Sequence, residues 1–96
     1  MSPILPLLTV YYLCDQAAAI RGLSSHEVTT CMQNYEQLKL EFIDEDPARL
    51  GSVERAAQVR QGYAGFKAWE AANADLVVQM RAEARETLGL TDLDRN

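Results

Sequence analysis

The first stretch of the chain carries apolar residues at helical spacing. Pro3 and Pro6 suit the start of a helix, where a missing N–H costs little, and Gly22 suits its end. The pattern therefore predicts a first helix over about residues 5–21. Its apolar face runs nearly all round, so we expect this helix to lie centrally in the core or to be covered by a partner. The apolar positions are Leu7, Leu8, Val10, Tyr11, Tyr12, Leu13, Cys14 and Ala18.

A second helix begins at the clearest local signal in the chain. Ser24 is followed three residues later by Glu27, which is a capping box that pairs each side chain with the other residue's backbone N–H. An apolar stripe then recurs at three- and four-residue steps, and Pro47 disfavours helix at the residue before it. We predict a helix over about residues 25–43 that forms a hairpin with the first. Its stripe comprises Val28, Cys31, Met32, Tyr35, Leu38 and Phe42.

A long third helix is predicted over about residues 52–88. Gly62 and Gly65 are its weak points, since glycine costs about 1 kcal/mol relative to alanine in a helix. These glycines can kink the helix or break it into two. Because no proline interrupts the stretch, we favour one bent helix that ends at Gly89. Its apolar side comprises Val59, Tyr63, Phe66, Trp69, Asn73, Leu76, Val77 and Met80.

The predicted architecture is all-α, with a helical hairpin and a long third helix in a single domain over residues 1–89. Residues 90–96 are predicted to form a flexible tail. Two short helices cannot cover one helix of this length from end to end. We therefore expect apolar surface on the third helix to remain for a partner or a second copy.

The charge of the chain is unevenly distributed. The 96 residues are 48% hydrophobic and 24% charged, which is typical of an ordinary globular domain, and the net charge is −5. Residues 1–46 hold two basic and seven acidic side chains, whereas residues 47–96 hold seven of each sign. The scarcity of Lys and Arg in the first half argues against nucleic-acid binding. A candidate acidic face comprises Glu36, Glu41, Asp44, Glu45 and Asp46.

The two cysteines allow more than one interpretation. Cys14 lies eight residues before Gly22, and Cys31 lies eight residues after Leu23, so a hairpin sets them at the same height. A disulfide is then geometrically plausible, but free cysteine is also among the most buried residue types. Because no convincing export signal is present, we favour two reduced thiols in the core over a disulfide.

The apolar segment over residues 2–14 bears on the compartment. No Lys or Arg precedes it, and Asp15 interrupts it, so it differs from a secretory signal and is too short to span a bilayer as a helix. We expect a cytoplasmic location or a place in a larger assembly. A periplasmic or secreted location is the alternative if Cys14 and Cys31 are bonded.

Catalytic and metal-binding chemistry finds little support. His26 is the only histidine, and its position five residues before Cys31 puts the two on different helix faces. A zinc site would need carboxylates in addition to these residues and Cys14. The chain has no glycine-rich phosphate loop and no nucleophile-elbow motif. We expect no enzyme activity, no cofactor, no metal and no small-molecule substrate.

The aromatic group at Tyr63, Phe66 and Trp69 is the strongest interaction candidate. It can pack on Tyr35 and Phe42 in the core, or it can form a partly exposed binding hot spot.

We expect a small interaction or assembly protein that binds a protein partner or itself through apolar surface on the first and third helices. The alternative is an acidic inhibitor or immunity-type protein that binds a basic partner. The candidate contact residues are Leu8, Tyr12, Tyr63, Phe66 and Trp69.

Overall fold

A computed structural model describes the backbone of residues 4–94 and the side chains of residues 4–89. The described residues form four helices and no strand: α1 (Ile4–Ile20), α2 (Ser25–Leu40), α3 (Val53–Ala72) and α4 (Ala74–Asp94). The prediction of an all-α fold is confirmed, but the long third helix is two helices. No helix in this part of the chain is both long and apolar enough to cross a membrane.

The hairpin of α1 and α2 forms as its local signals predict. Gly22 has a φ of 79°, which glycine adopts without a steric penalty, and it lies between the two helices. The Ser24 hydroxyl accepts a hydrogen bond from the Glu27 N–H at 3.2 Å, and a Glu27 carboxylate oxygen accepts one from the Ser24 N–H at 2.9 Å. A hydrogen bond from Arg21, followed by the one from the Ser24 backbone, lowers the pKa of Glu27 to about 2.

Gly62 and Gly65 mark a helix crossing, and the chain does not break into two helices at these residues. Both lie inside the regular helix α3, which crosses the C-terminal end of α2. A Cβ atom at Gly62 would overlap the carbonyl oxygen of Lys39, and one at Gly65 would lie 2.9 Å from Cβ of Phe42. The missing side chains therefore allow the two backbones to approach closely.

The break between α3 and α4 occurs at Asn73, a position that the sequence pattern assigns to the apolar side of the predicted third helix. Its backbone departs from helical geometry, with φ −124° and ψ 40°. Its side-chain amide donates to the Trp69 carbonyl oxygen at 2.8 Å, and its own carbonyl oxygen accepts from the Val77 N–H at 3.0 Å. Asparagine can satisfy the free backbone groups of a helix end in this way.

The break changes how the helices pack. Helix α3 packs on α2, α4 packs on α1, and α1 and α2 pack on each other, while α3 and α4 have little mutual contact. Helix α4 continues through Gly89 to Asp94, so the predicted end at Gly89 is not observed. The side chains of residues 90–96 lie outside the described part, and the flexible tail stays a prediction.

The core draws on all four helices. In the buried hydrophobic cluster, α1 and α4 each contribute two residues, and α2 and α3 each contribute one. The rings of Tyr11 and Phe66 meet edge to face with centroids 5.1 Å apart, a favourable aromatic geometry. The buried cluster comprises Leu8, Tyr12, Leu38, Phe66, Val77 and Ala84.

The connection between α2 and α3 is anchored by a buried glutamine. The Gln58 side-chain oxygen accepts from the Ala48 N–H at 2.8 Å, and its amide nitrogen donates to the Asp46 carbonyl oxygen at 3.0 Å. Arg55 donates to the Ala48 carbonyl oxygen at 2.9 Å. These bonds hold a long irregular segment against the start of α3.

Candidate functional site

The N-terminal half of α2 presents apolar side chains to solvent. Met32 is 67% exposed and Val28 is 40% exposed, although the sequence pattern placed both on the core stripe. The reason is the crossing at Gly62, which sets α3 against only the C-terminal half of α2. Helix α2 therefore keeps an apolar face that no other described element covers.

Beside this face, a groove of about 180 Å³ runs between α1 and α2. We call it the tyrosine groove, because the rings of Tyr11 and Tyr35 lie 5.0 Å apart in its wall. The Lys39 ammonium lies 4.2 Å from the centre of the Tyr35 ring. The groove is lined by Tyr11, Cys14, Asp15, Cys31, Met32 and Tyr35.

The phenol groups of the groove are held in their neutral form. Burial raises the pKa of Tyr11, and the neighbouring Tyr35 and the Asp15 carboxylate raise it further. Burial also raises the pKa of Tyr35, with a smaller contribution from Tyr63. Each ring thus combines an apolar face with a hydroxyl group that can donate a hydrogen bond.

The two cysteines form a disulfide, so the favoured prediction of reduced thiols is wrong. Cys14 and Cys31 are bonded with their Cα atoms 6.0 Å apart, which is within the usual range. Both are half-buried, and a second crevice of about 290 Å³ opens on another side of the bond, with His26 in its lining. The disulfide therefore separates two shallow depressions between α1 and α2.

The predicted contact residues separate into buried and exposed members. Leu8, Tyr12 and Phe66 are fully buried inside the protein. The prediction that they contact a partner is therefore wrong, and they belong to the core. Trp69 is half-buried and stacks on the Phe66 ring at a centroid distance of 6.4 Å. Only Tyr63, at 48% exposure, remains open to a partner.

The candidate acidic face is partly used within the chain. Glu36 forms an ion pair with Arg55 at 2.9 Å, and Glu45 accepts a hydrogen bond from Gln58 at 3.3 Å. Glu41, Asp44 and Asp46 are exposed at the end of α2 and in the loop that follows.

A buried carboxylate that sequence reasoning missed joins α1, α3 and α4. One Glu70 oxygen accepts from the Tyr12 hydroxyl at 2.7 Å, and the other pairs with the Lys67 ammonium at 2.6 Å. The Arg81 guanidinium lies 3.8 Å away. Burial alone would raise the pKa of Glu70, but these partners outweigh it and lower that pKa. The three-residue spacing of Lys67 and Glu70 was the one available signal.

The described residues contain no group of His, Cys, Asp and Glu side chains that could hold a metal ion.

Comparisons with known proteins name no relative. No family model, curated protein or solved structure matches the chain.

Proposed function

We propose that this chain is a non-enzymatic protein-binding module that contacts its partner through the tyrosine groove. The observation that carries the proposal is the exposure of Met32, at 67%, beside the paired rings of Tyr11 and Tyr35. Methionine adapts its shape to different apolar surfaces, and tyrosine is enriched among the residues that dominate binding energies.

The charge at the groove indicates what kind of segment it binds. Asp15 lies in the lining, and the chain carries a net charge of −5. A partner segment that inserts an apolar side chain beside Met32 and places a Lys or Arg next to Asp15 would satisfy both features. The same net charge opposes close approach of a second copy.

We further propose that the protein works in an oxidising compartment. The Cys14–Cys31 bond is half-buried between α1 and α2, and crevices open beside it, so a cellular dithiol could reach it. Disulfides of this kind persist in the periplasm and outside the cell and are rare where thiols are kept reduced.

Site-specific cross-linking tests the proposal in cells of the native source. A photoreactive amino acid replaces Met32 in one variant and Gln37 in another, because Gln37 is exposed on the same helix and points away from the groove. We expect one protein to be labelled from position 32 and not from position 37. Equal labelling from both positions, or labelling of a second copy only, would contradict the proposal.

Purified components then give the affinity. The substitution Met32→Glu should weaken binding of the labelled protein at least tenfold, whereas Gln37→Glu should leave it within twofold. Binding that is unchanged by Met32→Glu but falls steeply with added salt would favour the acidic-inhibitor alternative.

A further inference from the structure

A third depression lies in the elbow between α3 and α4, away from the tyrosine groove. Its volume is about 340 Å³. Ala71, Ala74, Val77 and Val78 give it an apolar lining, and Val78 is 62% exposed at the surface. Its charged members are Lys67, Glu70 and Arg81.

The charges of this crevice do not balance. Glu70 supplies one negative charge, and both of its oxygens are already engaged, one by Lys67 and the other by the Tyr12 hydroxyl. Lys67 and Arg81 together supply two positive charges. The crevice is therefore left with one positive charge in excess. Asp75 lines a neighbouring depression and not this one.

Arg81 is the charged residue of this crevice whose hydrogen-bond donors are unused within the described part of the chain. Its guanidinium carbon lies 5.8 Å from the centre of the Tyr12 ring, and its nearest approach to Glu70 is 3.8 Å, which is longer than a hydrogen bond. Within the described part of the chain, its guanidinium donates no hydrogen bond. The side chain is 41% exposed, so its donors are accessible from the crevice. A guanidinium fork of this kind matches the two oxygens of a carboxylate.

We propose that the elbow crevice binds a carboxylate attached to a short aliphatic group. The carboxylate would pair with Arg81, with Lys67 adding a second positive charge, and the aliphatic group would lie on Ala74 and Val78. Such a carboxylate can come from a free fatty acid or from the C-terminus of a peptide that ends in an aliphatic residue. The crevice is open to solvent and so leaves room for the rest of a peptide chain. We therefore expect the peptide to bind more tightly than the free fatty acid.

Four small probes test whether the crevice binds a carboxylate. Each is titrated into the isotope-labelled full chain, and NMR follows the backbone amide signals of Ala71, Ala74 and Val78. Hexanoate and acetyl-Ala-Leu carry the carboxylate, while hexanamide and acetyl-Ala-Leu-amide are neutral controls. We expect saturable shifts with both acids and at least tenfold weaker responses with both amides. Tighter binding of the peptide identifies a chain terminus as the source, and tighter binding of hexanoate identifies a free acid. Equal responses to acids and amides overturn the proposal.

Two variants and one control locate the site. Arg81→Gln should weaken acid binding at least tenfold, whereas Arg60→Gln, which removes an exposed arginine from α3, should not. Val78→Glu alters only an exposed position and puts a negative charge at the rim, so it should repel the acids even if Arg81→Gln disturbs folding. Unchanged affinity in Val78→Glu and in a folded Arg81→Gln protein would refute the assignment. The result is independent of the tyrosine groove, because the two surfaces share no residue.

Discussion

The carbonyl oxygen of Lys39 in α2 occupies the space where a side chain at Gly62 of α3 would begin. This contact sets how closely the two helices approach and how much of α2 is covered. Because α3 is held at the C-terminal end of α2, Met32 and Val28 stay in solvent. The candidate binding surface therefore depends on a glycine that is not part of it.

We expect Gly62→Ala to lower the free energy of unfolding by about 3 kcal/mol or more, because backbone atoms must move to admit the methyl group. Gly89→Ala is the matched control, since no atom lies within 4 Å of the position its Cβ would take. That change should be neutral or stabilise the helix by up to about 1 kcal/mol. Urea unfolding measures both, and equal effects at the two glycines would contradict the packing argument.

Reduction of the Cys14–Cys31 bond should lower the free energy of unfolding by roughly 3 kcal/mol, because the unfolded chain loses a cross-link that closes a short loop. The double variant Cys14→Ser/Cys31→Ser should show the same loss and should not respond to reductant. Alkylation followed by measurement of the intact mass gives the redox state of the two cysteines in protein from its native source. We expect two alkylated thiols only after reduction. Two thiols before reduction would argue against an oxidising compartment.

The Glu70 carboxylate should make stability depend on acid pH. Its pKa is lower in the folded state than the ordinary value of 4.5, so its contribution is present above that pH and is lost as the pH falls below it. Glu70→Gln should cost about 1–3 kcal/mol at pH 7 and should flatten the acid dependence. Exposed Glu86→Gln is the control. An unaltered acid slope in Glu70→Gln would show that this carboxylate does not carry the effect.

Replacement of Gln58 should loosen the segment before α3. In Gln58→Leu, the Ala48 N–H and the Asp46 carbonyl oxygen lose their partners, at a cost of about 1–2 kcal/mol. We expect the Ala48 amide to exchange with deuterium at least tenfold faster. Gln61→Leu, at an exposed position of the same helix, should leave that rate unchanged. Slow exchange at Ala48 in both variants would mean that other contacts hold the loop.

Local signals in the sequence were enough to predict the hairpin. The capping box at Ser24 and Glu27 and the stop at Gly22 act within a few residues, so their geometry follows from the sequence alone. The break at Asn73 could not be predicted, because asparagine is compatible with both a helix interior and a helix end. In the folded chain, the helix ends at Asn73, and α4 packs against α1.

The candidate site was harder to predict than the fold. Periodicity placed Val28 and Met32 on an apolar stripe, and that stripe is real, but only tertiary packing decides which part of it is covered. Considered alone, glycine at position 62 indicates flexibility. In the fold, it lets the backbone of α3 approach the backbone of α2 at Lys39. The pairing of Tyr12 with Glu70 joins residues 58 positions apart and leaves no local trace.

That same separation sets the order of events during synthesis. A ribosome adds about 5–20 residues per second, so it needs roughly 3–12 s to make the chain between Tyr12 and Glu70. Until α3 and α4 have been made, only α2 can shield the apolar surface of α1. For several seconds, the nascent chain therefore leaves more of the apolar surface of α1 uncovered than the folded protein does.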